Sequence, residues 1–178
     1  MNEVQIAFFE RRDQWYAKLT HWATGRKDGC WLYHVGWIVW HDNGTATVYD
    51  QNKRPRKVRW KARADVKEYY FNPPVVLDAK GVVLPFDVEY LEQMHERGKH
   101  YGYLDWLSYL QPYWLRKLFG NHPGEICSEK IDRDLWIRGY NGGWKPKKPA
   151  RSPCDLNREF LLRGMTSSTA PPTWWRAA

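Results

Sequence analysis

The chain has 178 residues, the length of one domain able to bury a core of its own. With 28 Lys plus Arg against 20 Asp plus Glu the formal net charge is +8, which suits a polyanion such as nucleic acid, a membrane surface or a wall polymer as a neighbour. Hydrophobic residues at 43%, with 12 Trp and 11 Tyr, exclude wholesale disorder, and no apolar run approaches the ~18–20 residues of a membrane span.

Met1-Asn2-Glu3-Val4 lacks the basic start and long apolar run of a secretory signal, so synthesis in a cytosol without a signal peptide is the expectation. Val4-Gln5-Ile6-Ala7-Phe8-Phe9 predicts a strand, and Trp15, Leu19, Trp22 and Ala23 at helical spacing predict a helix stopped by Gly25. Residues 31–40 are aromatic or β-branched at most positions and run into Asp42-Asn43-Gly44, a hairpin signal, before Thr45-Ala46-Thr47-Val48-Tyr49. Val58, Trp60, Ala62 and Ala64 then alternate with Lys57, Arg59, Lys61 and Arg63, which predicts a strand with one basic, solvent-facing side.

Phe71-Asn72-Pro73-Pro74 is a break, and residues 75–84 hold two short strands around Gly81. Asp87 caps a helix over 88–97, residues 103–118 form a helix disturbed at Pro112, and residues 127–138 form another, ended by Gly139. Ser152-Pro153-Cys154-Asp155 has the cap, first-turn proline and acidic reach-back of a helix start, and that helix runs to 163. The division is therefore one domain over 1–164 and a Ser/Thr/Pro-rich, Trp-bearing tail over 165–178.

The three cysteines, Cys30, Cys127 and Cys154, are far apart and odd in number, which fits neither a disulfide framework nor a Cys-rich zinc site and leaves at least one thiol free. Cys127 stands out because its position at a helix start supplies unpaired N–H groups that lower a thiol pKa and can hold an oxyanion. The plain alternative is a small buried hydrophobe. Of six histidines, His34 lies inside a strand, where a scaffold can fix its ring; the plain alternative there is a core histidine satisfied by a hydrogen bond.

Hairpin register selects a third residue. If Asp42-Asn43-Gly44 is a three-residue loop, Gly36 faces Asp50, and Asp50 is the diagonal neighbour of His34 at roughly 7–8 Å, within side-chain reach. If Asn43-Gly44 is a two-residue turn, every side chain beyond it changes face and Gln51 takes that place. Asp50 is favoured and Gln51 is the alternative.

The order strand-His, strand-carboxylate, helix-Cys resembles the circularly permuted branch of the papain-like NlpC-type superfamily, the YiiX-like and lecithin:retinol acyltransferase-like proteins. Gln5-Ile6-Ala7-Phe8-Phe9 and Leu19-Thr20-His21-Trp22 look like that branch's first strand and helix, and Tyr33-His34-Val35-Gly36-Trp37-Ile38 like its His-bearing strand. Val48-Tyr49-Asp50 resembles the stretch with the third polar residue, and Tyr101-Gly102-Tyr103-Leu104-Asp105 with Ile126-Cys127-Ser128-Glu129 resembles its helix and nucleophile motif. Ser152-Pro153-Cys154-Asp155-Leu156 looks like the loop and helix that follow, so the likeness spans residues 4–163.

The resemblance implies an α+β, permuted papain-like fold with an antiparallel sheet packed against helices. It also implies a cysteine peptidase or amidase in which Cys127 attacks a carbonyl, His34 carries the proton and Asp50 orients His34, with no metal or other cofactor. Substrates in that superfamily include peptidoglycan stem peptides, protein amides and lipid acyl groups. The basic 53–67 segment, the abundant Trp and the tail after 163 depart from its pattern.

Two other classes compete. Lys57, Arg59, Lys61 and Arg63 with interleaved aromatics suit an anionic polymer, cell wall or nucleic acid, although charge runs are usually solvated faces and no phosphate-binding loop or nucleic-acid motif accompanies them. A non-catalytic protein on the same fold, such as a component of a phage particle, would use Trp174 and Trp175 to anchor the tail in a protein partner; the plain alternative folds them over their own core.

Overall fold

A computed structural model describes residues 3–10, 12–13, 15–23, 29–50, 56–58, 67–71, 76–77, 83–84, 88–96, 127–137, 145–146, 151–162, 167–168 and 173–174. The chain is mixed α+β. Strands β1 (Glu3–Glu10), β2 (Leu32–Trp40), β3 (Ala46–Tyr49), β4 (Arg56–Val58), β5 (Lys67–Phe71) and β8 (Ser167–Ser168) form one antiparallel sheet in the order β4-β3-β2-β1-β5-β8. Strands β6 (Val76–Leu77) and β7 (Val83–Leu84) pair separately. The described helices are α1 (Trp15–Ala23), α2 (Val88–Glu96), α3 (Cys127–Ile137) and α4 (Pro153–Leu162).

Alternation along the central strands makes two apolar faces. Val4, Ile6 and Phe8 of β1 and Val35, Trp37 and Val39 of β2 join Leu91 of α2, Ile131 and Leu135 of α3, and Leu156 and Phe160 of α4 in the larger core. Ala7, Phe9, Ile38, Trp40, Ala46 and Val48 form a second cluster. Each large side chain enclosed in this way contributes about 1.5–3 kcal/mol. Phe8 and Phe160 meet edge to face with centroids 6.0 Å apart, which fixes α4 on β1.

The β2–β3 turn decides the register. His41 N–H donates to Thr45 O at 2.9 Å, Gly44 N–H donates to His41 O at 3.2 Å, and Gly44 has φ 75°, which glycine adopts without a Cβ clash. The loop is therefore the three-residue kind, and Trp37 faces Tyr49 while Trp40 faces Ala46. At the other end of β2 the pairing slips, since Phe9 faces His34 but Glu10 faces Leu32. This bulge at Tyr33 breaks the alternation next to His34.

Helix α4 begins as its sequence predicts. Ser152 Oγ accepts from Asp155 N–H at 3.2 Å, and Ser152 N–H reaches back to Asp155 Oδ2 at 3.3 Å. Helix α1 lies where its spacing predicts, but Trp15 and Trp22 are exposed, so that spacing marked a helix without marking its buried side.

The described part of the basic strand is β4, which ends at Val58, and the alternation beyond it lies outside the described residues, as does the 103–118 helix. Strand β5, Lys67-Glu68-Tyr69-Tyr70-Phe71, was not expected; its aromatic run before Asn72-Pro73-Pro74 was the available signal. Ser167–Ser168 adds β8 to the edge of β5, so part of the 165–178 segment belongs to the sheet.

Candidate active site

Helix α3 presents Cys127. Cys127, Ile131 and Leu135 recur at four-residue spacing, which puts the thiol at the head of the stripe that enters the larger core. Cys127 is the free cysteine among those described and is 6% exposed. It is the first residue of helix α3, at the positive end of the helix dipole.

The imidazole of His34 is fixed from the strands. Its Nε2 lies 2.9 Å from Asp50 Oδ2, with side-chain exposures of 13% and 2%. Gly36 permits that approach, because a Cβ there would come within 3.1 Å of both Asp50 Cβ and Tyr49 O. Phe9 and Tyr33 flank the ring at centroid distances of 5.6 and 6.1 Å and limit its tilt. With Nε2 facing Asp50, Nδ1 is the nitrogen left for the thiol.

Electrostatics ties the imidazole to the sulfur. Burial by itself pulls the His34 pKa down, but the negative charge of Cys127 and hydrogen bonds to Asp50 and Cys127 more than reverse this, raising it from 6.5 to about 10. The charged form of the imidazole is favoured by both the carboxylate and the thiol. An inert core cysteine lacks such a neighbour.

Of the residues singled out from the sequence, Cys127, His34 and Asp50 come together. The three-residue loop puts Asp50, rather than the alternative Gln51, beside His34; Gln51 itself lies outside the described residues. Lys57 lies in β4, and Arg59, Lys61 and Arg63 lie outside the described residues. Trp174 falls in a turn and is exposed, and Trp175 lies outside the described residues.

The reading of the cysteines needs a correction. Cys30 and Cys154 form a disulfide, with Cα atoms 6.2 Å apart across 124 residues of sequence. Cys30 precedes β2 and Cys154 lies in the first turn of α4, which packs against β2, so a contact invisible in linear spacing joins them. The third thiol stays free, as an odd number requires.

Sequence reasoning also missed a buried polar cluster on α3. Asp134 accepts hydrogen bonds from Trp37 Nε1 at 2.9 Å and Lys130 Nζ at 2.8 Å, and Arg151 Nη1 pairs with both oxygens of Asp132 at 2.8 Å. The available signal was the run Lys130-Ile131-Asp132-Arg133-Asp134, whose charges stand on a helix that also carries core residues. Among the described residues no group of His, Cys, Asp or Glu could hold a metal ion, and no helix is long and apolar enough to cross a membrane. Set against protein-family models, curated proteins and solved structures, the chain matches none.

Proposed function

We propose that this chain is a cysteine hydrolase of amide bonds, a peptidase or amidase on a permuted papain-like fold. The observation that carries the reading is a single imidazole, His34, held by Asp50 at 2.9 Å and bearing on the free thiol of Cys127. The thiolate of Cys127 attacks the amide carbonyl, and the electron pair moves onto oxygen, facing the N–H groups at the head of α3. As the carbon–nitrogen bond breaks, the His34 imidazolium gives its proton to the leaving amine, and a thioester remains on Cys127. Neutral His34 then takes a proton from water, the hydroxide attacks the thioester, and carboxylic acid leaves as the thiolate reforms. Asp50 keeps the ring oriented and offsets its charge in both steps. Peptide amides, including those of peptidoglycan stem peptides, are the substrate class that the sequence resemblance adds.

Alkylation tests the reading without a known substrate. At about pH 6, iodoacetamide should modify Cys127 at least about tenfold faster than it modifies glutathione, and His34→Ala should remove most of that advantage. Modification of the wild-type thiol no faster than glutathione would overturn the proposal.

A further inference from the structure

We propose that Asp134 is a positioning residue for the Cys127–His34 pair, holding the helix that presents the thiol in one register against the strand that presents the imidazole; this rests on the hydrolase reading above. Asp134 is fully buried, and its Oδ2 accepts from both Trp37 Nε1 at 2.9 Å and Lys130 Nζ at 2.8 Å, while Arg133 Nη2 lies 3.3 Å from Oδ1. Trp37, also fully buried, belongs to β2, and Lys130 to α3. One carboxylate oxygen thus bonds to the helix and to the strand at once.

Its place along both elements makes this a matter of alignment. Asp134 follows Cys127 by seven residues, two turns or about 10 Å down the same side of α3. Trp37 follows His34 by three residues, again about 10 Å, along β2. Helix and strand therefore share one rung, Asp134 with Trp37, while Cys127 on the helix and His34 on the strand each lie about 10 Å from it, His34 leaving β2 on the face opposite Trp37. Lys130 lies between Cys127 and Asp134, about one turn from each, and its side chain is 3% exposed.

Apolar side chains such as Ile131 and Leu135 supply adhesion between α3 and the sheet but tolerate sliding, whereas a buried carboxylate shared by an indole N–H and an ammonium is satisfied in one register only. A slide at the Asp134–Trp37 rung moves the sulfur by a similar distance from the ring, and about 1 Å of misplacement at reacting atoms can cost on the order of a hundredfold in rate.

The test compares Asp134→Asn, which keeps the size and an acceptor for Trp37, with the neutral pair Lys130→Gln/Asp134→Asn and with Trp37→Phe, which removes the indole donor together with part of the ring's volume. The readouts are the iodoacetamide rate at Cys127 across about pH 5–9 and the circular dichroism of each variant. Asp134→Asn should fold yet alkylate at about one tenth of the wild-type rate or less, with a displaced pH profile, and the neutral pair should recover most of the loss. If Asp134→Asn does not fold, Trp37→Phe carries the same expectation. A folded variant with the wild-type rate and profile overturns the positioning role while a fast wild-type thiol leaves the hydrolase reading standing. A wild-type thiol no faster than glutathione overturns both.

Discussion

At residue scale the site depends on a side chain that is missing. Gly36 faces the end of β3, and a Cβ there would press on Tyr49 O and Asp50 Cβ, each at 3.1 Å. Neither gives way cheaply. Tyr49 is paired with Trp37 and donates its hydroxyl to Glu92 at 3.1 Å, and Asp50 is held by His34. Gly36→Ala should therefore lower stability by about 1–3 kcal/mol, the usual cost of overpacking, and move Asp50 off the imidazole. The expected result is a lower melting temperature together with at least a severalfold slower alkylation of Cys127. A variant unchanged in both would mean that the strands absorb the methyl group and that Gly36 has no part in the pairing. This contact was legible beforehand because it depends on local rules: the turn type sets the register, and the register sets which residue stands beside His34.

At the scale of elements, legibility falls with separation along the chain. Strands β1 to β3 and helices α3 and α4 follow from alternation, turn residues and caps, all of which act within a few positions. Strand β5 escaped because Lys67 to Phe71 has no turn joining it to β1, its partner, so its pairing is set by the sheet edge rather than by its own neighbours. The Cys30–Cys154 bond escaped for the same reason, and it binds the lead-in to β2 to the first turn of α4. Protein purified without reductant should, when denatured, titrate as one thiol per chain and, after reduction, as 3, the full cysteine count. Closing so long a loop restrains the unfolded chain, which for a typical bond is worth about 2–4 kcal/mol. Cys30→Ser should then lower the melting temperature by roughly 4–16 °C for a domain of this size. Three reactive thiols in the unreduced protein would show that the two sulfurs are not joined.

For the whole molecule, the site adds a dependence of stability on pH whose sign follows from His34. Burial disfavours its charged form, but Cys127 and Asp50 favour it more strongly, so the folded protein holds this proton up to about 10 whereas the unfolded chain releases it near 6.5. Because the folded value is the higher one, the stabilisation is fully present below about pH 6.5 and is lost as pH rises through about 10. Tyr49, raised to about 12 by burial and by Glu92, also favours unfolding at high pH, but it does so equally in wild type and in a His34 variant. The difference between wild type and His34→Gln isolates the imidazole, since Gln retains a donor for Asp50. That difference in melting temperature should hold steady up to about pH 6.5 and shrink steadily toward pH 10. In Cys127→Ser, which removes the charge of the sulfur, the His34 ring signal in NMR should titrate at lower pH than in wild type. A melting difference constant across the whole range, or a ring that titrates at the same pH with and without the sulfur, would mean that thiol and imidazole do not share a charge and that the head of α3 does not face His34.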